Sequence, residues 1–346
     1  MTGEAATLED KVRFLRRPGS YPFDAREVIA RETHMSWLFL VGNRVYKLKK
    51  PVRFPYLDFS TLQRREAACR AEWRLNRRLA PDVYLDVVPL SSSQSGLAIG
   101  GEGVVTDWLV VMRRLQEEAT LEAALRAHRL ELADADRIAA TLGAFYARAR
   151  RVPVQPARHV AAWRAALAYN RRVLLDPRFD LPRGCVERIA RTQRRFLVER
   201  SRLLRARVHG GRIVDAHGDL RPEHIWLCDR VTIIDCLEFD PQLRALDALD
   251  EIAFLHLECD RLGARWVGER IRRRLARRLG EEPASGLFVF YRSHRAMLRA
   301  RLSIAHLLDA QPSMPEKWQR AARAYLHLAA ADAARLDRLL RTRAGR

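Results

Sequence analysis

The stretch that decides the fold is residues 217–240, which read HGDLRPEHIWLCDRVTIIDCLEFD. Two short apolar runs, 225–228 and 231–234, flank the two-residue turn Asp229-Arg230, which is the pattern of a tight β-hairpin. Pairing the runs brings their outer ends together, so polar residues before the first run are predicted to lie beside those after the second. Carboxylates that converge in this way repel each other unless a cation or a proton lies between them. The stretch therefore favours a functional site over an acidic surface turn.

The residues that this pairing is predicted to bring together are Asp219, His224, Asp235 and Glu238. One hypothesis for such a group is a metal-dependent phosphohydrolase that also uses His217. That hypothesis leaves a further set of polar residues, in the first third of the chain, without an explanation.

Length and composition predict a globular protein with one large domain or two lobes, because the chain has 346 residues of which 48% are apolar. No run approaches the about 18 consecutive apolar residues of a membrane span, and residues 1–10 are too acidic and polar for a secretory signal. The five cysteines form no Cys-x-x-Cys pair and are odd in number, which fits reduced thiols. We therefore expect a cytoplasmic protein without a membrane partner.

The net charge of +21 would ordinarily indicate a polyanion partner. The basic residues are scattered along predicted helices, however, so we expect only non-specific binding to nucleic acid. Lysine is rare: the 63 basic residues include only Lys11, Lys47, Lys49, Lys50 and Lys317. Three of these five lysines fall within four positions, which marks 47–50 as a segment where arginine has not replaced lysine.

The first third of the chain is predicted to be a small β-rich lobe. A short helix is predicted at 8–17, strands at 28–33, 36–41, 44–49, 83–88 and 103–112, and a longer helix at 61–80. Helical periodicity then dominates, with helices predicted at 119–129, 133–151, 158–174, 184–208, 246–262, 265–279, 284–309 and 316–342. The sequence thus predicts an α+β protein with a β-rich lobe at 1–113 and a helical lobe at 114–346.

A buried lysine and a buried glutamate are predicted in the first lobe. Alternation along the strand 44–49 puts Val45, Lys47 and Lys49 on one face and Tyr46 and Leu48 on the other. Glu72 lies in the apolar stripe of the helix 61–80 and so points inward. Because a lysine on a buried face needs an anionic partner, we pair Lys47 with Glu72, with Lys49 as the second choice. The alternative is that these side chains are solvated at the surface.

The spacing of His217-Gly-Asp219 and Ile-Ile-Asp235 resembles the catalytic loop and metal-binding aspartate of the aminoglycoside phosphotransferase-like branch of the protein-kinase fold. The resemblance implies that Asp219 orients or deprotonates the acceptor hydroxyl and that Asp235 holds Mg²⁺ on the phosphates of ATP or GTP. It also implies that the pair of Lys47 and Glu72 binds the α- and β-phosphates.

Segments 33–50, 57–61 and 75–81 resemble one bacterial subgroup of this family, some members of which are fused to a P-loop domain. The sequence contains no Gly-x₄-Gly-Lys-Ser/Thr motif, so no P-loop module is expected in it. The resemblance places Ser36 in the turn that covers the phosphates. It also places the nucleotide base against the hinge near Met112.

His224 departs from the family, which has an asparagine metal ligand at this position. An imidazole suits Zn²⁺ or Mn²⁺ better than Mg²⁺, so the metal preference is altered, or Asp235 carries the ion with Glu238 nearby, or catalysis is weakened. A further alternative is that His224 only forms hydrogen bonds within its loop.

The remaining polar residues of the helical lobe are interpreted as follows. His217 is expected to brace the loop, and Asp247 and Asp250 are expected to cap the helix 246–262, where the resemblance also implies an acidic residue that supports the catalytic loop. Arg221 either neutralises phosphate or is a surface residue.

The favoured function is a phosphotransferase that transfers phosphate from ATP or GTP, with Mg²⁺ or Mn²⁺, to a hydroxyl group of a small molecule. The rival from another class is a catalytically impaired kinase-like protein that binds nucleotide or a polyanion, through Arg-rich runs such as 270–278 and 292–301. The acceptor is not evident from the sequence. A cationic aminoglycoside would need an acidic pocket, for which only the segment 247–260 is visibly acidic.

Overall fold

The structure is a computed structural model that describes residues 6–54, 56–280, 286–308 and 314–342. The protein is α+β, as predicted, and forms two compact units. One unit comprises Met1–Thr120 with His224–Leu243, and the other comprises Leu121–Glu223 with Arg244–Arg346. This division differs from the predicted boundary after residue 113, because the 217–240 stretch is shared between the units rather than belonging to the helical one.

The strands are β1 Ile29–Glu32, β2 Ser36–Val41, β3 Arg44–Lys49, β4 Arg53–Phe54, β5 Leu57–Asp58, β6 Tyr84–Ser93, β7 Gly96–Ile99, β8 Val104–Arg113, β9 Ile213–Asp215, β10 Ile225–Leu227, β11 Val231–Ile233 and β12 Ala245–Asp247. The helices are α1 Leu8–Leu15, α2 Leu62–Asn76, α3 Leu121–Arg126, α4 Leu132–Arg148, α5 Pro156–Leu174, α6 Arg183–His209, α7 Pro241–Arg244, α8 Ala248–Arg261, α9 Arg265–Arg278, α10 Leu287–Ala305 and α11 Pro315–Arg341. Within the described residues, no helix is long and apolar enough to cross a membrane.

The first unit contains a six-stranded antiparallel sheet in the order β1-β2-β3-β8-β6-β7. Strands β2 and β3 have the predicted bounds, 36–41 and 44–49. The strand predicted at 83–88 continues to Ser93, and β7 was not predicted, because serines at 91–93 and 95 obscure the apolar alternation there.

The two faces of this sheet pack against different helices. Tyr46 and Leu48 of β3 are buried in the apolar cluster that includes Leu15 of α1. On the opposite face, Cys69 of α2 is buried in a cluster with Val110 of β8. Because side chains alternate along a strand, Lys47 and Lys49 belong to the face that α2 covers.

Helix α2 begins within one residue of its predicted start and ends earlier than predicted. The Thr61 hydroxyl accepts a hydrogen bond from the backbone N–H of Arg64 at 3.3 Å, which satisfies one of the unpaired donors at the helix start. The last helical residue is Asn76, and the chain then turns through 77–80 rather than continuing the helix to Pro81.

The hairpin predicted in the 217–240 stretch is present. Strands β10 and β11 pair antiparallel with Ile225 opposite Ile233, and the backbone N–H of Ile234 donates to the His224 carbonyl at 3.0 Å. The hairpin contacts residues near the end of the 1–120 segment, since the Trp226 indole donates to the Gln116 carbonyl at 2.8 Å. This contact explains why both segments belong to the first unit.

The second unit is helical, and the eight predicted helices are found, with residues 284, 285 and 309 of one prediction lying outside the described residues. Residues 248–259 of α8 are all buried, with apolar clusters of the unit formed around them. A short antiparallel ladder of β9 and β12, which was not predicted, precedes the His-Gly-Asp motif at one strand and α8 at the other. This ladder positions the loop that begins at Ala216 next to the start of α8.

Candidate active site

In the first unit, Lys47 of β3 and Glu72 of α2 form an ion pair. The Lys47 Nζ lies 2.7 Å from Oε1 of Glu72, and the Glu72 side chain is only 1% exposed. The same ammonium lies 3.6 Å from a carboxylate oxygen of Asp235. The contact with Asp235 brings the second part of the 217–240 stretch next to the lysine strand.

Lys49 enters the same cluster from two positions further along β3. Its Nζ lies 2.6 Å from Oε2 of Glu72 and 2.5 Å from Oε1 of Glu238, and its side chain is 1% exposed. Glu72 therefore receives one lysine on each carboxylate oxygen. Of the two lysines, Lys47 is the more exposed.

The charges in this cluster stabilise one another despite their burial. Burial opposes the charged form of Lys47, but the carboxylates of Glu72, Asp235 and Glu238 outweigh it and raise the pKa of that lysine. The pKa of Lys49 is also raised, because Glu238 and Glu72 together outweigh the effect of burial. Burial would raise the pKa of Glu72, yet the two lysines lower it. All three groups are therefore charged at neutral pH.

Asp235 has a backbone conformation that few residue types adopt. Its φ is 65°, in the left-handed region, where aspartate is better tolerated than most side chains. Its backbone N–H points to the Tyr84 hydroxyl at 3.4 Å, and the next N–H, of Cys236, donates to Oδ1 of Asn76 at 2.8 Å. These contacts leave the Asp235 side chain 51% exposed, in a position to contact a ligand.

His224 lies beside Asp235, with 3.4 Å between its Nε2 and a carboxylate oxygen. Glu238, the third predicted metal ligand, instead contacts Lys49. Across 6–54, 56–280, 286–308 and 314–342, no group of three or more His, Cys, Asp or Glu side chains is arranged to hold a metal ion. The exposed carboxylate of Asp235, with the His224 imidazole beside it, nevertheless fits a divalent ion bound through one or two protein ligands and phosphate oxygens.

The other two predicted nucleotide contacts lie on the sheet. Ser36 begins β2 opposite Lys49 and is only 3% exposed, and its backbone N–H donates to the Thr33 hydroxyl at 3.0 Å. Met112 pairs with Val45 on β3 and is also buried. Their roles in binding a nucleotide stay predictions.

In the second unit, Glu251 of α8 holds the His-Gly-Asp loop. Its carboxylate is fully buried and accepts hydrogen bonds from the backbone N–H groups of His217 at 3.1 Å and Gly218 at 2.5 Å. The Tyr146 hydroxyl donates to the same carboxylate at 2.8 Å. Gly218 has a φ of 93°, which explains the glycine. Sequence reasoning missed Glu251, although its place in the first turn of a predicted helix was a signal.

His217 braces this loop as expected, since its Nδ1 lies 3.3 Å from the Asp219 backbone N–H and its side chain is buried. The Asp219 carboxylate contacts Arg221, whose Nε lies 3.0 Å away. Arg221 also contacts Glu223 at 2.5 Å. Arg221 is thus a partner of the candidate catalytic group, which neither of the two interpretations of this residue had foreseen.

The acidic residues of α8 are all engaged within the unit. Asp247 caps the helix, accepting from the Leu249 N–H at 2.9 Å, as predicted. Asp250 was wrongly interpreted as a cap, because its side chain is buried in the first turn of α8 and pairs with Arg295 at 2.7 Å. The other partners are Arg261 and Tyr325 for Glu258, and Arg292 for Asp260. The acidic segment 247–260 therefore does not form an open acidic pocket.

The arginine-rich runs are likewise largely paired within the second unit. The pairs are Arg270 and Arg274 with Asp136, Arg272 and Arg273 with Glu269, Arg292 with Asp332, Arg295 with Asp250, and Arg299 with Glu258. Much of the positive charge in these two runs is consequently neutralised by neighbouring carboxylates.

Comparison with known proteins gives one sequence relationship and several fold relationships. Uncharacterized proteins of Mycobacterium tuberculosis and Mycobacterium bovis are 33% identical to the chain over 285 residues, which is 82% of this chain and 56% of the relatives. The chain thus spans about half the length of the curated relatives that it matches. No protein-family model matches the chain.

Three solved structures share the fold over nearly the whole chain. A choline/ethanolamine kinase family protein of Mesorhizobium loti superposes with a TM-score of 0.54, at 13% identity, covering 93% of this chain and 98% of that one. Aminoglycoside 2'-phosphotransferase-IIIa in its GDP complex gives 0.53, at 16% identity and 90% and 94% coverage. A thermostable mutant of aminoglycoside phosphotransferase APH(4)-Ia gives 0.52, at 15% identity and 93% and 97% coverage.

The chain therefore has the protein-kinase-like fold of aminoglycoside phosphotransferases and choline/ethanolamine kinases, which confirms the predicted fold.

Proposed function

We propose that this protein is a phosphotransferase that moves the terminal phosphate of ATP or GTP to a hydroxyl group of a small molecule. The observation that supports this most is the ion pair of Lys47 and Glu72 beside the exposed carboxylate of Asp235. A lysine held by a helix glutamate and placed next to a metal-binding aspartate is the arrangement that phosphoryl transfer uses to hold a nucleotide.

Each residue has a separate task in this proposal. Lys47 contacts the α- and β-phosphates, with Glu72 fixing its direction. Asp235 and His224 hold Mg²⁺ or Mn²⁺, which when bound neutralises charge on the phosphates. Asp219 accepts a hydrogen bond from the acceptor hydroxyl and takes up its proton. Glu251 keeps the backbone of the Asp219 loop in place, because two N–H groups of that loop donate to its carboxylate.

The acceptor in this proposal is neutral or anionic rather than a polycation. A polycation requires carboxylates that are open to solvent, and the visible acidic segment of the chain is buried in ion pairs. At the loop itself, Arg221 pairs with Asp219, so a cationic group approaching Asp219 also meets a guanidinium group. We therefore expect aminoglycosides not to be substrates.

The test is a panel of hydroxylated small molecules offered with Mg²⁺ or Mn²⁺ and either ATP or GTP. Lys47→Met should weaken nucleotide binding about tenfold or more. Lys50→Met is the matched control, because Lys50 pairs with the exposed Glu32 and not with Glu72 or Asp235. Asp219→Asn should keep nucleotide binding and lower turnover by roughly 10²–10⁴. Wild-type protein that binds neither nucleotide would refute the proposal.

One rival retains support from a specific observation. His224 occupies the metal-ligand position with an imidazole, which favours a nucleotide-binding protein with weakened catalysis. Nucleotide binding without turnover on any acceptor, in any of the metals, would favour this rival. The phosphohydrolase is not favoured, because Glu238 contacts Lys49 rather than the group around Asp235.

A further inference from the structure

We infer that Glu238 is a positioning residue, which neutralises the buried Lys49 and so preserves the charge of Asp235 for a metal–nucleotide ligand. This inference rests on the proposed function and goes beyond it, because it gives a role to a second lysine and a second glutamate. It also replaces the sequence-based assignment of Glu238 as a metal ligand.

Lys49 is enclosed by its partners. An ammonium group has three donors, and two carboxylates lie at 2.6 and 2.5 Å from it, from Glu72 and Glu238. The ring of Phe59 lies 4.9 Å from the same nitrogen and covers a further side. Since the side chain is 1% exposed, Lys49 is placed to organise the cluster rather than to contact phosphate.

The charge balance shows what Glu238 contributes. The cluster consists of two lysines, Lys47 and Lys49, and three carboxylates, Glu72, Glu238 and Asp235. One negative charge is therefore in excess, and Asp235 is its most exposed member. If Glu238 loses its charge, the excess disappears, and the negative charge of Asp235 then compensates buried lysine instead of attracting a cation. Because Lys49 and Glu72 are only 1% exposed, salt screens their charges weakly, and this competition persists at physiological ionic strength.

Glu238 also fixes the position of the segment that carries Asp235. It follows Asp235 by three residues, and the intervening Cys236 N–H is held by Asn76 at 2.8 Å. The Asn76 side chain in turn donates to the Glu72 carbonyl at 2.9 Å, one turn earlier on α2. The segment is thus attached through Asn76 near Asp235 and through Lys49 at Glu238, so both attachments lead to the helix that carries Glu72.

The experiment measures binding of Mn²⁺ together with ADP or GDP by titration calorimetry, without turnover. Four proteins are compared: wild type, Glu238→Gln, Glu238→Asp and the double variant Lys49→Met/Glu238→Gln. Glu238→Gln should weaken binding of the metal–nucleotide pair about tenfold or more, and metal-free nucleotide less. Glu238→Asp, which keeps the charge, should bind within about threefold of wild type. The double variant should recover most of the loss, because the uncompensated cation is gone.

A matched control is Glu66→Gln, because Glu66 lies on the outer part of α2 and pairs with Arg70. Full binding by Glu238→Gln would overturn the inference while leaving the proposed function intact. Weak binding by both Glu238→Gln and the double variant would overturn the charge argument. If Glu238→Gln does not fold, the double variant provides the test, because the inference requires it to bind the metal–nucleotide pair like wild type. Wild-type protein that binds no metal–nucleotide pair would overturn both proposals.

Discussion

Replacing Glu251 should lower the free energy of unfolding and disturb the loop that carries Asp219, although Glu251 has no assigned contact with a substrate. Glu251 is 0% exposed and accepts hydrogen bonds from His217, Gly218 and Tyr146. In Glu251→Ala these three buried donors lose their acceptor, and each unsatisfied donor costs about 1–3 kcal/mol. The expected loss is at least about 3 kcal/mol, a large part of the about 5–15 kcal/mol that stabilises a typical domain.

Glu251→Gln is the more informative variant because it keeps the shape and one acceptor oxygen. Hydrogen bonds to a charged group contribute about 1.5–3 kcal/mol and neutral ones about 0.5–1.5 kcal/mol, so a loss of roughly 3–4.5 kcal/mol is expected over the three contacts. With the amide oxygen in place of Oε1, the amide nitrogen takes the place of Oε2, which lies 3.2 Å from the backbone nitrogen of His217. The two N–H groups then repel each other, which displaces Asp219 from its working position. We expect turnover to fall by about tenfold or more.

Urea unfolding followed by circular dichroism measures the stability, and initial rates under the conditions found for wild type measure turnover. Tyr146→Phe is the matched control, since it removes one donor from the same carboxylate and leaves both loop N–H groups paired. It should cost about 1–2 kcal/mol and leave turnover close to wild type. If Glu251→Gln loses stability but keeps full turnover, the loop does not depend on this carboxylate for its geometry, and the reasoning fails.

Three further predictions concern other groups. His224→Asn should shift the metal preference toward Mg²⁺, because an amide oxygen is a harder ligand than imidazole. The shift is measured by comparing the activity of both proteins in Mg²⁺, Mn²⁺ and Zn²⁺. An unchanged metal preference would mean that His224 does not contact the ion. Asp235→Asn should abolish turnover and keep the fold, whereas Asp235→Ala should also lose about 1 kcal/mol in urea unfolding, since φ at this residue is 65°; equal stability of the two variants would contradict the strain argument. Burial lowers the pKa of His294 from 6.5 to about 3, so the unfolded chain binds a proton there below pH 6.5 and the folded one does not. The free energy of unfolding of the wild type should therefore fall, as the pH is lowered between these values, by up to about 1.4 kcal/mol per pH unit. His294→Phe should show a correspondingly smaller dependence of this free energy on pH when unfolding is measured from pH 7 to 5. The same pH dependence in both proteins would refute this.

The sequence predicted those parts of the fold and site that depend on local pattern. Alternation over six residues defined β3, and the apolar stripe of α2 turned Glu72 inward, so their pairing followed from two short segments. The hairpin followed from its two apolar runs and their turn. The kinase-like fold was inferred by resemblance, and the solved structures confirm it.

The parts of the site that the sequence did not predict are contacts between residues that lie far apart in the chain. Glu238 was grouped with Asp235 because both follow the hairpin, but its partner Lys49 is 189 positions away, which no spacing rule reveals. Glu251 was overlooked because acidic residues in a first helical turn usually act as caps, and only the packing of α8 against the loop gives it another role. Lys49 was treated as an alternative to Lys47, whereas the structure gives both a contact with Glu72.

The order in which the chain is synthesised has a consequence for the first unit, which is made of Met1–Thr120 and His224–Leu243. A ribosome adds about 5–20 residues per second, so residues 121–223 take roughly 5–20 s to make after the sheet has emerged. During that interval Glu72 is the only carboxylate of the cluster available to the two lysines, because Glu238 has not yet been made. The β10–β11 hairpin of this unit is also missing. The unit that is made first is therefore expected to be completed late, and the nascent sheet is the part of this protein that most needs protection from aggregation.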